Sequence, residues 1–562
     1  MMDIQLKEVI EYLQKKGYEC IPIDKRNGKF VDIDILTTIC GKDIRLRCKF
    51  PKTFPYDFPQ VYILEEFYKD IAPIPHINKD FSICTFDKNI AIPNHREPLK
   101  LVEETISQAI KIIEDGIKGV NKEDFIEEFN SYWGNETLSE VEVWVLSTLD
   151  NYSQLLYFYY DEKNFYVSND KFQLEEYLHY IKGLSINKEN IKRCLYIPMK
   201  NRWYPPYPKT NKEVFLKVRE EKEAFEAYCK FLKNRTEASL IIFSQQINGE
   251  RYFGAWLHKP VKSPKSFRKG KVLPELAYLI QYKDEEIMKL TVQLLDRRRL
   301  FNRGGDGTVL SNCTVSITGC GSIGSYLIQA LAELGICKFT LIDNQLLTSE
   351  NIARHICGTS DIYKWKTEAI KEQLIKHYPY IKCKSIPRDV LEVLEDSLDI
   401  FNQCDINFIV VGSKSVEIKF LELFNQGKIT KPLVIIWVEP FLLGGHAIIV
   451  QNKQDIESLI YDEKYRFKYS ILVDGEKYTK KEAGCQSTYI PYSAFEARQF
   501  VYNFMDYFYN NHMINETKGN YLFSWCGNLK WARKENMMIS DAWLSKSKRT
   551  VSIKRFDLDD QV

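Results

Sequence analysis

Three clusters of residues in this 562-residue sequence have types and spacings that could do chemistry. The first is Gly319, Gly321 and Gly324 in "TVSITGCGSIGSYLIQALAEL", a G-x-G-x-x-G turn between a predicted strand, Thr314 to Thr318, and an apolar stretch of helical period. Glycines at that spacing let backbone N–H groups and a helix N-terminus approach a phosphate. Asp343, about twenty residues on and just past a second predicted strand, Phe339 to Ile342, can bond a ribose hydroxyl. A glycine turn alone is weak. Strand, turn, helix, strand and acid in that order point to a nucleotide. The second cluster is cationic: Asn351 and Arg354 follow Asp343, and Lys366 stands near the start of the next predicted helix. Converging cations suit a triphosphate better than a nicotinamide ring, which needs a dry, uncharged slot. Taken singly, Arg354 and Lys366 read as ordinary solvated charges. The third cluster is cysteine. Fourteen are scattered with no C-x-x-C pair, which argues against structural zinc and against a secreted disulfide framework. Most read as small buried hydrophobes. Two differ by context. Cys84 follows His76, Asn78 and Asp80 in "PHINKDFSICTFD". Cys485, in "KKEAGCQSTYIPYSAFEARQF", lies after Lys480 and Lys481 and before an amphipathic helix pattern; cations and a nearby helix start both favour the thiolate.

The elements that must position these groups fall into three regions. Residues 1–133 read as an α+β domain: a helix, short strands, an irregular stretch from Pro73 to Pro98, then a helix from Leu99 to about Gly116. Residues 134–285 are aromatic-rich and read as an α+β connector, with a hairpin at Asn248-Gly249 and one helix through "EVFLKVREEKEAFEAYCKFLKN". Residues 286–562 alternate strands and helices as in a doubly wound, Rossmann-type α/β domain. Hydrophobic residues make up 44% and charged residues 27%, and the formal charge is +2, so the whole chain gives no reason to expect nucleic acid or an anionic membrane as partner. No apolar run approaches the roughly 20 residues of a membrane-spanning helix. Met1 to Lys16 is an amphipathic pattern rather than a signal peptide. The expectation is a cytoplasmic protein.

The C-terminal constellation resembles the ThiF/MoeB and ubiquitin-activating family, whose pattern is the glycine turn, a strand-end Asp, Asn-x-x-Arg and a downstream Lys. The resemblance implies ATP as cofactor, adenylation of a small protein's C-terminal carboxylate, and a homodimer. It also implies a phosphate-seeking arginine upstream of the turn, for which Arg297, Arg298, Arg299 and Arg303 are all open. Where the family has Asp-x-x-Asp, the second acid binding the Mg²⁺ of ATP, this sequence has Val411 and Lys414; a smaller departure is Gln345. Lys cannot ligate Mg²⁺ while protonated. Either the register differs, or Lys414 neutralises phosphate directly, or adenylation is impaired; the Mg²⁺ ligands stay unassigned. The family also implies a thioester on a late cysteine, here Cys485. The N-terminal region resembles ubiquitin-conjugating enzymes: Pro55 and Pro59 punctuate a strand entry, and His76-Ile77-Asn78 stands where the family has His-Pro-Asn before the active cysteine, here Cys84. In that family Asn, here Asn78, supports the loop or stabilises the oxyanion.

Both halves in one chain resemble the bacterial fusion proteins encoded beside cGAS-like nucleotidyltransferases in anti-phage operons. That implies activation of the C-terminus of such a nucleotidyltransferase, or of a ubiquitin-like protein, and transfer from Cys485 to Cys84 to a target lysine. The segment "WVEPFLLGGHAIIV", with Glu439 and His446, also resembles that group; His446 reads as structural. Two other readings stand beside the relay: a cofactor-biosynthesis adenylyltransferase or sulfur-transfer enzyme, and a non-catalytic nucleotide-binding scaffold.

Overall fold

In the computed structural model, which describes residues 6–23, 32–87, 90–137, 140–183, 188–261, 272–305, 313–481 and 488–556, the chain divides into two units, each with its own core. The first comprises Met1–Trp144, Asp150–Phe165 and Lys192–Gln293. It opens with helix α1 (Leu6–Lys15), whose Val9 and Leu13, one turn apart, are buried. Strands β1 (Glu19–Ile23), β2 (Asp32–Ile39), β3 (Lys42–Lys49), β4 (Gln60–Ile63) and β5 (Ser82–Ile83) form a five-stranded antiparallel sheet in sequence order. Helix α2 (Pro98–Lys118) shares a core with this sheet through Val102, Ile106, Ala109, Ile112 and Ile113. Pro98 starts this helix and Gly119, at φ 70°, ends it in the left-handed conformation. Two short helices follow, α3 (Asp124–Glu127) and α4 (Phe129–Asn135).

The middle of the chain forms a closed barrel of β6 (Glu142–Val145), β7 (Gln154–Tyr160), β8 (Asn164–Ser168), β9 (Lys192–Met199), β10 (Ser239–Ile247), β11 (Glu250–His258) and β12 (Met288–Leu294). β10 and β11 make the hairpin that Asn248-Gly249 signals, with both turn residues at positive φ, 50° and 83°. The single helix expected before it is two, α5 (Asn211–Arg219) and α6 (Lys222–Leu232). Glu221 breaks it: its backbone is extended, and its carboxylate accepts the N–H groups of Lys200 and Asn201. A side chain so engaged cannot also follow the helical course of its neighbours.

The second unit comprises Val145–Leu149, Tyr166–Ile191 and Leu294–Val562. After helix α7 (Arg297–Gly304) come β13 (Thr314–Thr318), helix α8 (Ser322–Glu333), β14 (Lys338–Ile342), helix α9 (Lys366–His377), β15 (Lys382–Ile386), β16 (Ile406–Ile409), helix α10 (Lys414–Asn425), β17 (Leu433–Val438) and β18 (Gly444–Val450). A two-residue antiparallel pair, β19 (Lys480–Lys481) and β20 (Thr488–Tyr489), precedes helix α11 (Ala494–Phe508) and strands β21 (Asn520–Cys526) and β22 (Val551–Phe556). The sheet has eight strands in the order β15-β14-β13-β16-β17-β18-β21-β22. The first five are parallel, as a doubly wound fold requires, and the last three extend it antiparallel. Strand order reverses between β13 and β16, the place where a ligand crevice opens beyond the carboxyl ends of parallel strands. Among the described residues no helix is long and apolar enough to cross a membrane.

Candidate functional site

At that reversal point the glycine turn is held by its own packing. Gly319 has φ 95°, and a Cβ there would lie 2.5 Å from the Val410 carbonyl oxygen; one on Gly324 would lie 2.0 Å from the Gly319 oxygen. Neither position admits a side chain. Asp343 fastens the turn from below: its Oδ2 accepts the Cys320 N–H at 2.7 Å and its Oδ1 accepts the Gln345 N–H at 2.8 Å. Gly321 caps α8 with open space where its Cβ would be. The turn therefore presents the α8 N-terminus to a cavity of about 540 Å³, within the range of small-molecule sites.

Gly321, Asn351, Arg354, Lys366 and Lys414 all line this cavity, while Gly319, Gly324 and Asp343 are not part of its lining. Lys366 is buried at the start of α9, and its ammonium donates to the Gln345 side-chain oxygen at 2.6 Å. An uncharged amide at position 345 thus orients Lys366 without cancelling its charge. Arg354 donates to the Ile490 carbonyl at 2.9 Å and lies over the Tyr492 ring. Asn351 closes a local turn, its Oδ1 accepting the Thr348 N–H at 3.0 Å. Lys414, the first residue of α10, is exposed and donates to the Tyr465 carbonyl at 2.9 Å. None of the four upstream arginines lines the cavity.

Four lining residues outside the sequence reading shape the site. His355, next to Arg354, has Nδ1 accepting the Cys357 N–H at 3.0 Å, so its Nε2 carries the proton and donates to the Cys320 carbonyl at 2.9 Å. Burial holds its pKa below the ordinary value, which favours this neutral form. Glu417 is 3% exposed and accepts the Tyr461 hydroxyl at 3.3 Å. Trp437 and Phe467 form an aromatic wall and pack on His446 behind it. His446 is structural, as read: its Nε2 donates to Glu439 at 2.8 Å, and Nδ1 meets the Ser524 hydroxyl at 2.9 Å. The same Glu439 carboxylate accepts the N–H groups of Ile471 and Leu472 at 2.7 and 2.8 Å.

In the first unit, residues 76–84 form a tight loop closed by the Cys84 N–H donating to the His76 carbonyl and the Asn78 N–H donating to the Ser82 carbonyl, each at 2.8 Å. Cys84 and Asn78 are both exposed on it. The Asn78 side-chain amide donates to the Ser82 hydroxyl at 2.9 Å, and that hydroxyl donates to Asp80 at 2.6 Å, so Asn78 braces the loop in this state. His76, at φ 63°, anchors the whole loop: one ring nitrogen meets Asp124 at 2.9 Å and the other Glu128 at 3.1 Å. The Glu128 contact, more than the Asp124 one, lifts the imidazole pKa to about 9 against the opposing effect of burial. Tyr132 completes the anchor, donating to Glu128 while accepting the His76 N–H.

Cys485 lies outside the described residues, in the stretch that β19 and β20 bracket. α11 starts only at Ala494, with Ser493 as its cap, and a helix dipole acts within about the first turn.

The ThiF family model matches residues 297–421, and the prokaryotic E2 family B model matches residues 12–141. An ATP-dependent ubiquitin transferase-like protein Cap2 from Pseudomonas aeruginosa is similar to this chain at 25% identity over 215 residues, spanning 37% of this chain and 38% of that protein. A protein of the same description from Vibrio cholerae is 22% identical over 544 residues, spanning 86% of this chain and 85% of its own. A crystal structure of E. coli MccB with ATP overlaps 25% of this chain and 41% of that chain at 24% identity, with a TM-score of 0.21.

Proposed function

From the premise that this chain is a ubiquitin-activating and ubiquitin-conjugating-like enzyme, with a ThiF segment fused behind a prokaryotic E2 family B segment, we propose that it adenylates a protein C-terminus and ligates it to an amine through two cysteines. The observation that carries this is the convergence of Gly321, Asn351, Arg354, Lys366 and Lys414 on one cavity at the α8 N-terminus. Backbone N–H groups and three cations suit a triphosphate. Magnesium, when bound, screens the charge of that triphosphate.

A carboxylate oxygen of the substrate's C-terminus attacks the α-phosphorus of ATP and pyrophosphate leaves. The Cys485 thiolate attacks the acyl carbon and AMP leaves. The Cys84 thiolate then takes the acyl group and frees Cys485. A target lysine amine attacks the second thioester, losing its proton, and Cys84 is released as the amide forms. Residues 1–133 are assigned to conjugation, 134–285 to a connector and 286–562 to activation. The substrate is assigned as a cGAS-like nucleotidyltransferase or a ubiquitin-like protein, acting in anti-phage defence in the cytoplasm with the enzyme as a homodimer. A sulfur-transfer enzyme would leave the E2 segment without a task.

The test is substrate-dependent ATP–pyrophosphate exchange with purified candidate partners. Exchange should need the partner's free C-terminal carboxylate and should vanish in the double variant Arg354→Ala, Lys366→Ala. ATP binding in wild type without exchange for any partner would favour the scaffold reading. Unchanged exchange in the folded double variant would refute this cavity as the site.

A further inference from the structure

The charge pattern around α10 is inverted relative to the ThiF pattern: Lys414 stands where an acid would meet magnesium. An acid is nevertheless present one helical turn further on. Glu417 is the one carboxylate among the described residues that line the cavity. It follows Lys414 by three positions on α10, so both side chains share one side of the helix. Its side chain is almost wholly buried, and the protein gives it one hydroxyl, that of Tyr461 at 3.3 Å. Lys414 does not form a close pair with it; that ammonium is engaged by the Tyr465 carbonyl.

A buried carboxylate with so little compensation is costly unless a cation completes it. Burial pushes its pKa up to about 7, and the Tyr461 hydroxyl and the Lys414 charge offset only part of that rise. Asp343 does not line the cavity, and its two oxygens already accept the N–H groups of Cys320 and Gln345. No cluster of three or more His, Cys, Asp or Glu side chains suited to a metal exists among the described residues, so a cage made wholly of protein is absent there. Magnesium does not need one. It is commonly held by one or two carboxylates together with phosphate oxygens and waters, and a single hard oxygen donor facing a nucleotide fits that demand.

We propose that Glu417 is the protein ligand of the magnesium ion that enters with ATP, so that the acid missing at position 414 has moved one turn along α10. Lys414 then meets phosphate by exchanging its bond to the Tyr465 carbonyl, and cation and ammonium share the neutralisation. The inference rests on the cavity being the ATP site.

Titration calorimetry of the full chain with ATP, in Mg²⁺ and in EDTA, tests it without reference to turnover. Wild type should bind ATP more tightly with Mg²⁺ by about tenfold or more, the scale of one charge-assisted contact. Glu417→Gln keeps an oxygen for the Tyr461 hydroxyl and the shape of the side chain. It should lose most of the Mg²⁺ enhancement, while its Mg²⁺-free ATP affinity is equal or higher because a negative charge has gone. An equal Mg²⁺ enhancement in variant and wild type, or none in wild type, overturns the assignment of Glu417 and leaves the ATP site standing. No ATP binding in either condition overturns the site itself. If the variant does not fold, crystals of wild type with ATP and Mn²⁺ decide the matter: anomalous scattering should place the ion in direct ligation distance of a Glu417 oxygen, and an ion held elsewhere refutes the proposal.

Discussion

At His76 two carboxylates meet one imidazole while partial burial works against the charge they favour, and the carboxylates win. The folded-state pKa of about 9 lies above the ordinary value near 6.5, so the bound proton stabilises the fold. That contribution is complete below about pH 6.5 and is lost as pH rises through about 9. Asp124 and Glu128 are each more than a third exposed, which screens the pair, so His76→Gln should cost about 1–2 kcal/mol near pH 6. Most of that difference should disappear by about pH 10. Denaturant unfolding of both proteins across this range measures it; a pH-independent difference would mean the imidazolium is not the anchor. None of this was legible in "PHINKD". The loop's cysteine and asparagine stand beside the histidine in sequence, but its carboxylate partner Asp124 is 48 residues away, and only the packing of α3 and α4 brings it there. Glu417 was hidden for a similar reason. Its helix position was readable, but its place in the cavity depends on Tyr461, 44 residues on.

Elements whose geometry is set by neighbours in sequence were read closely. β13, the glycine turn and α8 follow from constraints a few residues apart, since Gly324 packs on the oxygen of Gly319. The β10–β11 turn follows from two residues that tolerate positive φ. The break between α5 and α6 was missed because it depends on a distant pair of N–H groups, at Lys200 and Asn201. So was the role of Glu439, which stood out only as part of a resemblance. Its carboxylate ties the end of β17 to the 471–472 segment, in the stretch leading from the aromatic wall toward β19. Glu439→Gln replaces one acceptor with an NH₂ group, and every position that group can take faces a donor: Ile471 N–H, Leu472 N–H or the His446 ring. The loss should be about 1–3 kcal/mol, the cost of a buried donor left unmatched. Hydrogen exchange should quicken at Ile471 and Leu472 while the β13–β16 core stays protected; unchanged protection at those two amides would show that another group holds the segment.

On the scale of the whole molecule, the two cysteines belong to different units, Cys84 to the one containing Met1–Trp144 and Cys485 to the one containing Leu294–Val562. That separation gives the proposed relay a direction. In the proposed relay the acyl-adenylate would form in the cavity of the second unit, whose lining includes Tyr489, Ile490 and Tyr492, just past the stretch that bears Cys485. On that proposal the first unit makes no adenylate, and Cys84 would receive its acyl group by thioester exchange. Exchange between thiols is nearly isoenergetic, and its direction is therefore imposed by ATP-driven loading upstream and amine attack downstream. Cys84→Ala should leave a reducible thioester on Cys485 and abolish the amide product. Cys485→Ala should remove both thioesters while ATP–pyrophosphate exchange continues, because the adenylate forms before any thiol is used. Mass spectrometry of the trapped adducts distinguishes these states. Efficient loading of Cys84 in the Cys485→Ala protein would reverse the assignment: the first unit would then take the acyl group from the adenylate directly, and Cys485 would have no place in the path.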